Sequence, residues 1–138
     1  MHYEKLQSDL KADEGVSAKI YTDTVGKITG GVGRNLTDRG FSPSEIALML
    51  QNDIALAVSE LDRVAPWWRK LDDVRQNVMV NMMFNLGAPR LLGFRKFLAA
   101  VQAADWPRAA AEMMDSTWSK QVKSRANRLA NEMLTGGA

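Results

Sequence analysis

Apolar and polar positions change rhythm twice along this chain. From Tyr3 to Glu14 the apolar residues Tyr3, Leu6 and Leu10 recur at the three-to-four spacing of one helical face. Gly15 follows as a residue able to take the left-handed backbone of a helix cap. Over residues 19–33 the helical period is lost. Lys19-Ile20-Tyr21-Thr22-Asp23 and Lys27-Ile28-Thr29 bracket a turn containing Gly26, and this texture predicts a β-hairpin with a short third strand near Gly33. After Leu36 the helical period returns and persists. Ser42-Pro43-Ser44-Glu45 has the form of a capping box with proline at the first helical position. Ile46, Leu50, Ile54, Ala57, Val58 and Leu61 then continue one face until Pro66.

Residues 71–87 are apolar around most of the helical circumference, as expected of a buried central helix ended by Gly87 and Pro89. Three further helices are predicted over 93–104, 107–118 and 124–134. No repeat, low-complexity tract or linker interrupts the chain. The pattern predicts a single α+β domain over residues 1–138. A small sheet-bearing lobe (about 14–42) and a larger helical lobe (1–13 with 43–138) would flank a cleft.

Composition narrows the chemistry. With 46% hydrophobic and 25% charged residues the chain is an ordinary globular protein, not a charged disordered tail. It has no cysteine, which excludes disulfides, thiol catalysis, iron–sulfur clusters and zinc fingers. Its one histidine, His2, lies at the N-terminus, a poor place for a Ser–His–Asp triad or a histidine metal site. Catalysis must rest on carboxylates, hydroxyls, lysine or arginine.

The net charge of +2 is unevenly spread: ten acidic and six basic residues through Asp62, then six acidic and twelve basic from Arg63 onward. Solvated helix faces explain this plainly; the functional reading is attraction to a polyanion such as nucleic acid, a cell-wall polymer or an anionic membrane. No apolar run is long enough to span a bilayer, and the N-terminal segment lacks a signal-peptide core, so export through that route is not expected.

Three residues stand out. At about 100° per residue, positions 3, 6, 10 and 14 fall at roughly 0°, 300°, 340° and 20°, which puts Glu14 on the apolar stripe and turns Asp13 away. A carboxylate there is expected to be partly desolvated near the negative end of the helix dipole, and both effects favour the protonated form that a general acid needs. Asp23 belongs to the hairpin turn, where aspartate is common for purely local reasons. Thr29 lies in the opposite strand, where a β-branched residue is equally ordinary. Taken together they differ, because two carboxylates flanking a scissile bond are the equipment of glycoside hydrolysis.

Asp13-Glu14-Gly15, Lys19 through Thr24, Gly26 and Thr29 through Gly33 resemble the catalytic signature of the phage-type lysozymes, the endolysins of the T-even phage family. Leu71-Asp72, Val74-Arg75, Asn81-Met82, Phe84, Gly93-Phe94, Trp118 and Ser124 through Arg128 extend the resemblance over nearly the whole chain. It implies that Glu14 protonates the glycosidic oxygen, that Asp23 positions or activates water, and that the Thr29 hydroxyl helps hold that water. It further implies that Arg125 pairs with the catalytic glutamate and that Phe84 and Asn85 lie where the central helix approaches the cleft. Without the resemblance, Arg125 reads as a surface arginine and Phe84 as core.

The implied activity is that of a muramidase cleaving the β-1,4 bond between N-acetylmuramic acid and N-acetylglucosamine in bacterial peptidoglycan. Such an enzyme needs no metal or cofactor and acts as a monomer, with no nucleic-acid partner. It is made in the host cytoplasm and reaches the wall once a holin-like membrane protein permeabilises the membrane. The absence of a wall-binding domain suggests a Gram-negative host.

Four positions depart from the family pattern. Arg34 replaces a histidine, Asn85 a longer amide, Thr117 an arginine and Gly30 a branched apolar residue, so that strand is expected to be looser. Gly31-Val32-Gly33 lacks the third glycine or the Lys-Ser/Thr of a nucleotide loop and reads as part of a glycine-rich hairpin. The methionines read as core filler, and Trp67-Trp68 as packing beneath a helix link. Three rivals are a lytic transglycosylase, which needs no positioned water; an inactive wall-binding module on the same fold; and a helical nucleic-acid binder, which leaves the spaced carboxylates unexplained.

Overall fold

The computed structural model describes residues 1–137. Backbone contacts divide the chain into two compact units, Met1–Met49 and a second that begins at Leu50.

The first unit opens with α1 (Tyr3–Glu14). Gly15 follows with φ 78° and ψ 166°, so the glycine is needed for its positive φ, but the backbone is extended and not the left-handed cap expected. Next come β1 (Ser17–Thr22), β2 (Ile28–Gly31) and β3 (Arg34–Asn35), an antiparallel sheet in the order β1-β2-β3. Tyr21 faces Thr29 and Ser17 faces Gly31, so β1 spends two more residues than β2 between these pairs and bulges. A single-turn helix, α2 (Leu36–Arg39), follows; it was not foreseen because four residues carry no periodicity. Asn35 caps it by accepting from the Asp38 N–H at 3.1 Å.

The helix α3 (Pro43–Val64) begins in this unit with the predicted box. The Ser42 N–H donates to Glu45 Oε1 at 2.8 Å and the Glu45 N–H to Ser42 Oγ at 3.3 Å. Sequence periodicity correctly finds the apolar faces of α1 and α3 but overstates their burial. No residue of α1 is buried, and Ile46, Leu50 and Ile54 of α3 are exposed, leaving Ala57 and Leu61 as its buried pair. The desolvation expected for Glu14 is therefore absent.

The second unit holds a helical core. A 3-10 turn at Pro66–Lys70 leads to α4 (Asp73–Leu86), which is capped by Asp72 and buries Val78, Met79, Met82, Met83 and Leu86. After Gly87 come α5 (Ala88–Leu92), a short helix that was also not foreseen, and α6 (Arg95–Gln102). The single helix expected over 107–118 is two: α7 (Trp106–Met114) ends, Ser116 accepts from the Ser119 N–H, and α8 (Thr117–Val122) starts afresh. The last helix is α9 (Ser124–Thr135). α7 packs on α6 and α9, and α4 on α5 and α9.

Arg75 ties α4 to the end of α9. Its guanidinium donates to the carbonyls of Met133 at 2.7 Å and Leu134 at 3.0 Å, pairs with Asp72 at 2.9 Å and lies 3.8 Å from the centre of the Trp106 ring. Trp68 is buried and donates to Asp62 Oδ1 at 2.8 Å, and Trp67 packs on the same core, as expected of that pair.

Candidate active site

The hairpin that carries Asp23 is built by its turn. The Asp23 N–H donates to the Lys27 carbonyl at 2.8 Å and the Gly26 N–H to the Asp23 carbonyl at 3.1 Å, with Gly26 at φ 82°. That is a three-residue loop closed by a residue in the left-handed region, where glycine avoids the Cβ clash. The Asp23 side chain reinforces it: Oδ1 accepts from the backbone N–H groups of Val25 at 2.9 Å and Lys27 at 2.8 Å. The local and functional readings of Asp23 are thus compatible. One oxygen fixes the turn, and among the described residues of this unit nothing bonds to Oδ2. A half-buried carboxylate with one oxygen anchored and the other open can hold a water in a fixed direction.

Thr29 is one of the two polar residues buried among the described residues, at 5% exposure. Its hydroxyl donates to the Lys27 carbonyl at 3.2 Å, which orients the oxygen and leaves its lone pairs for an incoming donor. The hairpin places Asp23 at its turn and Thr29 in its second strand. Glu14, the last residue of α1, is exposed. It comes close to the β2–β3 turn: a β-carbon built on Gly33 would lie 2.7 Å from Glu14 Oε2. The unit therefore brings Glu14 to the sheet that carries Asp23 and Thr29. Gly33 is a residue that sequence reasoning passed over. The signal was present, since Gly33 closes the family signature and Gly31-Val32-Gly33 reads as a glycine-rich hairpin, but neither gives Gly33 a place beside Glu14.

Arg34, one residue further on, is tied down. It forms an ion pair with Glu45 at the start of α3 and donates to the Gly40 carbonyl at 3.4 Å. Hydrogen bonds from Arg34, and then from Ser42, pull the Glu45 carboxyl down to about 2. The Arg34 guanidinium thereby clasps β3 to the start of α3. Beside it Ile20, Gly30, Leu36 and Phe41 line a cavity of about 500 Å³.

In the second unit Phe84 is 49% exposed, so it is not the core residue that periodicity alone would make it. Asn85 is exposed, and its Oδ1 accepts from the indole N–H of buried Trp118 at 2.8 Å, which occupies one of the two polar atoms of the amide. Arg125 is exposed and shares a groove of about 580 Å³ with Phe84, Asn81, Val80 and Ile54. Thr117 opens α8 and is exposed. Among the described residues no group of three or more Asp, Glu or His side chains is arranged to hold a metal ion.

Comparison with known proteins bears on this arrangement. Residues 11–132 match the family model described as phage lysozyme. The chain is 28% identical to Probable T4-type lysozyme 1 of Dictyostelium discoideum, over 95% of this chain and 94% of that protein. It is 27% identical, with the same coverage, to Probable T4-type lysozyme 2 of that organism. It is also 29% identical to the pre-baseplate central spike protein Gp5 of Enterobacteria phage T4, over 92% of this chain but 27% of that longer protein. The family match begins three residues before Glu14 and runs through Arg125. A small antiparallel sheet carrying a turn aspartate, followed by a methionine-rich helical unit, is therefore the fold of a lysozyme-type glycoside hydrolase, and the chain belongs to the phage lysozyme family.

Proposed function

We propose that this protein hydrolyses the β-1,4 bond between N-acetylmuramic acid and N-acetylglucosamine in bacterial peptidoglycan, with inversion at the anomeric carbon. Glu14 gives its proton to the departing glycosidic oxygen, and Asp23 takes a proton from a water that attacks the opposite face of the sugar. The observation that carries this reading is the half-anchored state of Asp23. A carboxylate whose Oδ1 is held by the Val25 and Lys27 N–H groups is suited to orienting water through its other oxygen, with Thr29 as a second acceptor on the same hairpin. A carboxylate attacking the sugar directly would have no use for that hydroxyl. In this scheme Arg125 is the charge partner of Glu14, while Phe84 and Asn85 contact the sugar chain. The biological role is host-cell lysis for phage release, with synthesis in the cytoplasm and access to the wall through a holin-like partner.

Wall clearing with mass analysis of the products tests the reaction. Reducing muropeptides are expected; an anhydro sugar would identify a transglycosylase, and binding without cleavage an inactive module. Early-time NMR should show the α-anomer first, and a β-anomer preceding mutarotation would overturn inversion alone. Glu14→Gln should fold and lose at least ~100-fold in turnover. Expression with and without a holin tests the cellular role, since lysis should require both proteins.

A further inference from the structure

The contact between Glu14 and Gly33 is closer than any side chain at position 33 would permit. A β-carbon there would meet Glu14 Oε2 at 2.7 Å, its Cδ at 3.1 Å and its Cβ at 3.0 Å. One carbon–oxygen and two carbon–carbon contacts of that length are repulsive, and because the Glu14 β-carbon is fixed by its own backbone, rotating the side chain cannot relieve all three. Gly33 has φ +61°. Two residues earlier Gly31 has nearly the same backbone, φ +62°, yet a β-carbon built on it meets nothing within 4 Å. Both glycines satisfy the same backbone demand, and only one of them makes room for a carboxylate.

Nothing else in this unit fixes the Glu14 side chain. It ends a helix with no buried residue, and no hydrogen bond or ion pair to its carboxylate occurs among the unit's described residues. Within this unit its three side-chain torsions are thus limited chiefly by what it packs against. A proton donor left free to swing would seldom be within reach of the leaving oxygen, and misplacement by about 1 Å can cost ~100-fold in rate.

We propose that Gly33 is a positioning residue for the hydrolysis: the vacancy at its α-carbon is the seat of the Glu14 carboxylate, so the β2–β3 turn sets where the acid stands. This rests on the reading of Glu14 as the proton donor. It also separates two duties in the Gly31-Val32-Gly33 segment: both glycines supply the positive φ of the β2–β3 connection, and Gly33 alone supplies the seat.

The test compares Gly33→Ala and Gly33→Asn with Gly31→Ala and Gly31→Asn, using soluble peptidoglycan fragments as substrate. Asparagine tolerates positive φ better than alanine, so the asparagine pair keeps the β-carbon while easing backbone strain. Circular dichroism reports folding. For both Gly33 variants kcat should fall roughly 10- to 100-fold with KM little changed, and the limb of the pH–rate profile that reports the acid should shift. The Gly31 variants should keep the wild-type profile. Equal losses at the two positions, or loss of the fold in both Gly33 variants, would overturn the proposal and make Gly33 a backbone residue only. Glu14→Gln separates the two readings: if it is inactive while the Gly33 and Gly31 variants behave alike, Glu14 remains the acid and the seat is wrong. If Glu14→Gln retains activity, the acid assignment fails and the seat fails with it.

Discussion

The two units hold themselves together by different means. Every buried apolar side chain longer than glycine among the described residues, from Ala57 to Met133, belongs to the unit that begins at Leu50. The Met1–Met49 unit buries only Thr29 and Gly30, while Ile20, Val25, Phe41 and Ile46 stand exposed. In place of a core it has polar clasps: the Asp23 turn, the Ser42–Glu45 capping box, the Arg34–Glu45 ion pair, and Lys27 paired with Asp38 at 3.1 Å. A segment this short cannot bury enough surface to stabilise itself by the hydrophobic effect. The difference teaches where the proposed catalytic carboxylates, Glu14 and Asp23, reside: on a frame of hydrogen bonds that adjusts at small cost, with the bulk of the stability elsewhere. Local opening should accordingly be frequent in the first unit and rare in the second.

The strongest way to break this contrast is to cut one apolar side chain in each unit. Met79 is fully buried in α4, so Met79→Ala should destabilise the protein by about 2–5 kcal/mol, transfer and cavity contributions together. Ile20 is 66% exposed in β1, so Ile20→Ala should change global stability by no more than about 0.5 kcal/mol. Urea midpoints compare the two directly. Equal shifts would mean that the first unit contributes apolar burial after all.

How much of this was legible in the sequence follows the same division. The bounds of α1, the hairpin, the capping box of α3 and the buried face of α4 all carry local signals, and each is found where the pattern places it. Tyr3, Leu6 and Leu10 mark a face correctly, but periodicity cannot tell whether anything covers that face, and burial is where the reading of Glu14 erred. The break between α7 and α8 was missed because Ser116 stops and restarts a helix whose apolar period runs on unbroken. At the candidate site, the three chemical groups were legible as residue types at a spacing. The space left by Gly33 was not, since a missing side chain acquires meaning only once its neighbour is known.

Acid offers a second probe, smaller in effect, with one reporter in each unit. The Glu45 carboxyl is held down to about 2 by hydrogen bonds from Arg34 and then Ser42. The Asp62 carboxyl is held down to about 2 by hydrogen bonds from Arg69 and then Trp68. A carboxylate depressed in the folded state binds its proton more readily when unfolded. Its contribution is therefore complete above the ordinary value, 4.5 for Glu45 and 3.8 for Asp62, and is lost as pH falls toward about 2. Both pairs are solvent-accessible, so the losses should be modest and should shrink in high salt. Arg34→Ala should flatten the acid dependence of amide exchange in β3 and the start of α3, and leave the second unit unchanged. Asp62→Asn should flatten it in the second unit alone. If either variant alters both units alike, the two do not respond independently to acid.

Gly30 gives the smallest effect and the sharpest comparison. It lies in β2, needs no positive φ, and a β-carbon there would meet Leu36 Cδ1 at 3.5 Å and Ile20 Cγ2 at 3.6 Å, ordinary van der Waals distances. Alternation along the strand directs that β-carbon to the face opposite Thr29, toward the cavity lined by Ile20, Leu36 and Phe41. Gly30→Ala should therefore remove backbone entropy from the unfolded chain, add apolar contact to a unit that has little, and leave the hydroxyl of Thr29 where it is. The expected gain is about 0.4–1 kcal/mol. Because the second unit dominates global unfolding, the gain should appear first as slower amide exchange in β1 and β2, with a small change in the urea midpoint. Turnover provides the discriminating measurement. If activity is unchanged while exchange slows, the looseness of this strand is incidental to catalysis. If activity falls as the strand tightens, the sparse packing of the first unit is part of how the enzyme works.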